Sequence, residues 1–244
     1  VLFSLTQLEG VTISTVMANS LGNNTIAFLI FSCALTYALS VTGVLRQVAM
    51  WFVTRPVAKK SPWVFAALYF ISILVIGSFI SPTVLFVLYF GLVKEIYAVN
   101  KLEKGNDYAK MLMIGTAIMT SISCAMTPIA HTFPLMAIGF YESATGEIIN
   151  WIDYMMVGIP SGLFAAVATF GVLWLGFRKR VNQVSIDVSD ITLKLSRKGW
   201  TALIVFLIVV AVWLVSSIFP DWIPILKTWT TTIPPMLGVI ALCL

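Results

Sequence analysis

From Trp63 to Val93 the chain carries no charge, and Ser81-Pro82-Thr83 interrupts this apolar run in the middle. As one straight helix the stretch to Lys94 would extend about 45 Å, well beyond a hydrocarbon core of about 30 Å. As two crossings it is too short, since each needs about 20 residues. Two solutions are left: a kinked, tilted single crossing, or a re-entrant hairpin that dips in and returns. The rest of the sequence discriminates between them.

The 244 residues are 59% hydrophobic and only 10% charged, with a mean hydropathy of +0.98. A soluble domain of this length needs far fewer apolar residues, so the chain reads as an all-α polytopic membrane protein. Cys33, Cys124 and Cys243 are scattered through apolar runs without metal-ligand or redox spacing, and read as small core residues. The net charge of +5 fits cytoplasmic loops better than an anionic partner such as nucleic acid. The chain opens on VLFSLTQLEG, without Met or a basic leader, and closes inside the apolar MLGVIALCL. Both ends lead us to expect a piece of a longer protein.

Residues 1–24 read as an extracytoplasmic segment. A membrane helix and a cytoplasmic interfacial helix follow over 25–60. The first is Thr25–Leu45, and the second mixes Val48, Trp51 and Phe52 with Arg46, Gln47, Arg55, Lys59 and Lys60. The central stretch occupies 61–97 and a charged connector 98–110. A membrane helix over 111–141 is broken at Thr127-Pro128 and again at His131–Pro134. An outer loop (142–153), a membrane helix (154–177), a cytoplasmic connector (178–199) and a membrane helix (200–219) come next. A further membrane segment begins at 229–244. If the central stretch is a hairpin, every Lys and Arg except Lys227 lies on one side, opposite Glu142, Glu147 and Asp153. If it crosses, Arg46–Lys60 lies opposite Lys94–Lys110. The positive-inside rule selects the hairpin, with the basic side cytoplasmic.

Irregular backbone at membrane depth is tolerated only within protein or beside a water-filled cavity. At the hairpin tip Ser81 suits an N-cap and Pro82 the first helical position, so a half-helix would begin there with its positive end toward the cavity. That end attracts an anion, and the hydroxyls of Ser81 and Thr83 can add to an anion or sodium site. The bland alternative is a proline kink with hydroxyls bonded back to the helix. The second break, Ser121–Pro134, gathers Thr127, Pro128, Thr132 and the single histidine, His131. Discontinuous helices meeting near the midplane are a common transporter binding site. Freed carbonyls and the Thr127 and Thr132 hydroxyls suit a hard cation. His131 can bind substrate, exchange a proton, or sit neutral against a nearby carbonyl. No carboxylate pair, His/Cys cluster, phosphate loop or triad supports an enzyme, and no cofactor is expected beyond sodium as a coupling ion.

At these two breaks the chain resembles the divalent-anion/sodium symporter family of dicarboxylate, citrate and sulfate carriers, in the larger ion-transporter superfamily. TYALSVTGVLRQVAMWFV is similar to that family's helix ending in a Gly-Leu-x-x-Arg interfacial segment. GSFISPTVLFVLYFGLV resembles its first re-entrant hairpin, with a Ser-Asn-Thr tip. MTPIAHTFPLMAIGFY resembles its broken helix, and GEIINWIDYMMVGIPSGL the segment after it. Pro82 stands where that family has Asn. Ala130, His131, Phe133 and Pro134 replace its Gly, Thr, Pro and Asn. The resemblance implies the first of two inverted repeats, with a second hairpin beyond Leu244 and homodimers as the usual assembly. It also implies a sodium site at Ser81, Thr83 and Thr127 beside half of an anion site.

The sequence therefore leads to a sodium-coupled secondary transporter of small anions, di- or tricarboxylates, working by alternating access in a bacterial inner membrane. Its partners would be membrane lipid and the anionic substrate. Ser81, Pro82, Thr83, Thr127, Pro128, His131 and Thr132 are the candidate binding residues. A proton-coupled carrier or anion exchanger of the same fold, with His131 in place of sodium, is one alternative. A non-transporting membrane scaffold is another.

Overall fold

The computed structural model describes residues 12–14, 17, 22, 24–100, 105–147, 149–181, 195–218 and 232–243. Among them the ordered structure is helical, without strands. The expected outer segment over most of 1–24, Lys101 and Lys104, the connector over 182–194, and Lys227 lie outside the described residues. The helices are α1 (Asn24–Val41), α2 (Val44–Val53), α3 (Pro62–Gly77), α4 (Pro82–Val99), α5 (Asp107–Met126), α6 (Thr132–Thr145), α7 (Trp151–Val181), α8 (Arg197–Ile218) and α9 (Ile233–Cys243), with a 3₁₀ turn at Pro56–Lys60. Helices α5 and α7 are each long and apolar enough to cross a membrane, and α1 from Ile26 with α2 passes the same test as a pair bent by 64°, a broken span or a re-entrant loop.

The chain divides into two compact units, Val1–Tyr37 with Ile204–Leu244, and Ala38–Leu203. In the first, Gly238 of α9 lies against α8. A Cβ there would sit 2.5 Å from Val209 Cγ2 and 3.7 Å from Leu35 Cδ1 on α1. Small residues at such crossings let apolar helices approach closely where no water drives them together.

The second unit is built on α5. Asn106 caps this helix, its Oδ1 accepting from the N–H groups of Tyr108 at 2.8 Å and Ala109 at 3.4 Å. Asp107 in the first turn suits the positive helix end. Helices α3 and α4 double back on each other beside α5. At the open end of this hairpin, Tyr108 Oη donates to the Pro62 carbonyl at 3.0 Å, and Tyr97 Oη donates to the Ala109 carbonyl. Both roots of the hairpin therefore sit at the start of α5, which excludes a single kinked crossing. Midway, Tyr69 and Tyr89 are fully buried with ring centroids 5.2 Å apart. Tyr69 Oη bonds Thr116 Oγ1 at 2.8 Å, and Tyr89 Oη donates to Ser72 Oγ at 2.7 Å. Thr116 and Ser72 in turn donate to the carbonyls of Leu112 and Tyr69. Each of these four hydroxyls is thereby satisfied, as burial requires.

Helix α7 closes the other side of α5 through Gly158 and Gly162, one turn apart. A Cβ on Gly158 would lie 2.8 Å from the Met126 carbonyl oxygen, and one on Gly162 2.4 Å from Met126 Cγ. Arg178, Lys179 and Arg180 end α7 and complement its negative terminus.

Several boundaries differ from the sequence reading. The first membrane helix stops at Val41, not Leu45, because Gly43 turns the chain in a left-handed conformation (φ +74°) and Val44 begins α2. The helix expected at 154–177 extends over Trp151–Val181. The expected second interruption at His131–Pro134 is absent: α6 starts at Thr132 and runs through Pro134. Proline in a first turn removes an N–H that had no helical partner anyway.

Candidate functional site

Two non-helical turns lie at the far end of α5 from the hairpin roots. One is the hairpin tip, Ser78–Ser81. The other is Thr127–His131, where α5 gives way to α6. They meet directly: the buried Thr127 hydroxyl donates to the Ser78 carbonyl. The carbonyls released at the end of α3 need partners, and the break in α5 supplies one. Ser78 Oγ bonds back to the Leu74 carbonyl at 2.8 Å. Gly77 lets the tip approach, since a Cβ there would be 2.1 Å from Ser123 Oγ and 2.6 Å from Leu85 Cδ2.

From this joint two helices depart. Helix α4 begins with Pro82 at its first position, and α6 begins at Thr132. Their N-terminal N–H groups and dipole ends give the joint a positive character without a formal charge. His131 occupies the N-cap of α6. Its Nδ1 accepts from the Phe133 N–H at 3.1 Å, and its ring lies 4.4 Å from the Phe133 ring. An accepting Nδ1 leaves the ring proton of neutral imidazole on Nε2. The histidine is thus bonded to a backbone N–H rather than to a carbonyl.

The other expected residues divide. Pro128 is buried in the joint, and Thr127 links its halves. Ser81 stands at the N-cap of α4, but its hydroxyl makes no capping bond. The capping role expected of it is therefore not filled, and the helix start rests on Pro82. Thr83 is exposed and Thr132 half-buried. No side-chain hydrogen bond ties Ser81, Thr83 or Thr132 to another group among the described residues.

The sequence reading missed the residues behind the joint. Thr116, Thr120 and Ser123 are buried on one face of α5, leading up to Thr127 at its end. Ser123 donates to the Thr120 carbonyl at 2.9 Å, whereas the buried Thr120 Oγ1 has no partner. Thr120 and Ser123, four and seven residues after Thr116, form a helical stripe of hydroxyls in an apolar segment, and that periodicity was the available signal. Ser78 contributes through its carbonyl, which no residue type announces. Among the described residues no group of three His, Cys, Asp or Glu could hold a metal. Any cation here would meet only hydroxyl and carbonyl oxygens, the ligands that hard cations take.

A family model, CitMHS, described as citrate transporter, matches residues 1–243. No curated protein matches the chain.

Proposed function

We propose a mechanism from the premise that the chain belongs to the CitMHS citrate transporter family, within the ion transporter superfamily, and is an integral membrane, secondary transporter of citrate or a related anion. The substrate is a di- or tricarboxylate, bound where α4 and α6 begin. The observation that carries this reading is the bond from Thr127 to the Ser78 carbonyl, which holds two helix N-termini at one joint. Carboxylates are stabilised by such ends and by their unpaired N–H groups. Sodium accompanies the substrate, coordinated by carbonyls of the two turns and by the hydroxyls of Ser81, Thr83 and Thr127. A second inverted half would supply the remaining ligands. The basic ends of the helices face the cytoplasm, in a bacterial inner membrane. Transport proceeds by alternating access.

The test is uptake of labelled citrate into proteoliposomes containing the full-length protein, with and without an inward sodium gradient. Uptake driven by sodium supports the coupling; equal uptake in its absence overturns it. His131 motivates the second reading, proton coupling, because its ring already sits at the joint with Nδ1 as an acceptor. Protonation there would remove the cap of α6 and so link proton uptake to the local backbone. An inward pH gradient that drives uptake without sodium would favour it.

A further inference from the structure

An open groove of about 680 Å³ lies between α2 and the start of α8, lined by Val44, Gln47, Val48, Trp51, Leu195, Trp200 and Leu203. Its volume falls within the range of small-molecule sites, about 300–1,000 Å³. Two features distinguish it from a bare lipid-facing surface. The first is an unanswered polar atom: Gln47 lines the groove, and its Oε1 is buried without a hydrogen-bond partner. Such an atom is costly unless a ligand supplies a donor. The second is charge. The Arg55 guanidinium lies 3.6 Å above the Trp51 ring, which brings its charge back one helical turn toward Gln47. Arg197 and Lys198 stand between the groove residues Leu195 and Trp200. Helices α2 and α8 and the 3₁₀ turn contain no Asp or Glu. Trp51 and Trp200 are 49% and 55% exposed, large amphipathic rings of the kind that sit at headgroup depth.

We propose that this groove is a binding site for one anionic phospholipid with a hydroxyl-bearing headgroup, of the phosphatidylglycerol type. The acyl chain lies along Val44, Val48 and Leu203. The phosphate meets Arg55, with Arg197 and Lys198 adding attraction from the other wall. A headgroup hydroxyl donates to Gln47 Oε1. A zwitterionic choline lipid brings no net charge and no donor, so it fills the apolar part alone. The site does not depend on what the protein transports.

The test uses purified full-length protein delipidated in detergent. Phosphatidylglycerol or phosphatidylcholine is added back, and both the retained lipid, by native mass spectrometry, and Tm are read. Phosphatidylglycerol is retained preferentially and raises Tm. Arg55→Gln loses about fivefold of that preference, the share of one basic residue at a lipid surface. Gln47→Leu separates a ligand site from a packing role: it removes the unpartnered amide, so Tm without lipid holds or rises while the gain from phosphatidylglycerol shrinks. Equal retention of the two lipids by the unmodified protein overturns the proposal. So does an undiminished phosphatidylglycerol preference in Arg55→Gln, or a lipid-insensitive protein whose Trp51→Cys variant cross-links to a second copy through this face.

Discussion

Thr127 has one hydroxyl proton and spends it on the Ser78 carbonyl, in the turn that precedes the start of α4 at Pro82. Replacing it by valine keeps the shape and the β-branch but orphans the Ser78 oxygen. A buried group left unpaired in this way costs about 1–3 kcal/mol. Thr127→Val should therefore lower Tm and abolish citrate uptake, while Thr127→Ser keeps both near the parent. Unchanged uptake in Thr127→Val would detach the joint from transport. The neighbouring His131 ties side chain to backbone in the same manner, so His131→Ala should destabilise by about 1 kcal/mol, as loss of a helix cap does. A loss of uptake much larger than that accounts for would mark a role in binding or proton transfer. At this scale the sequence was legible where a residue type forces a conformation: Thr127-Pro128 ends a helix, and Pro82 starts one. It misled where side chains choose among partners. Ser81 has the chemistry of a cap but makes no capping bond, and Pro134 has the chemistry of a breaker but sits where nothing needs breaking.

Among the elements, the hairpin packs along α5, and glycine sets the distance between them at the tip. Gly77→Ala would drive a methyl into Ser123 and Leu85, and overpacking of this kind costs about 1–3 kcal/mol. The paired change Gly77→Ala with Ser123→Gly should recover a large part of the lost Tm, because it vacates the Ser123 atoms and leaves only Leu85 in the way. No recovery would show that the strain lies in α4 instead. Hairpin topology was legible from afar because charge is sparse: with so few Lys and Arg, their sidedness discriminates between folds. The tyrosine–hydroxyl bonds that clasp the limbs were not legible. They join residues 17 and 47 positions apart, and nothing in the local pattern around Tyr69 or Tyr89 names a partner. Gly158 and Gly162 carry a small-residue spacing that the sequence reading did not use, and spacing alone does not say that their counterpart is the last turn of α5.

For the whole molecule, the arrangement of the second unit fixes which ends share a side. Both hairpin roots lie at the start of α5, so Lys60 and Lys94 stand at one end of the unit; Glu142 is in the last turn of α6, which departs from the other end of α5. In a cysteine-free background, Lys60→Cys and Lys94→Cys should react with an impermeant maleimide from the same side, and Glu142→Cys from the opposite one. Labelling of Lys60→Cys and Lys94→Cys from different sides would refute the hairpin's placement in the bilayer. The joint also has a mechanical consequence. The hairpin is pinned to α5 at its roots, its middle and its tip. Slack has been removed at three levels, so a displacement imposed on either break is delivered undiminished to the other. The alternating-access cycle proposed above would then carry α3, α4 and α5 as one piece, with its hinges outside this trio.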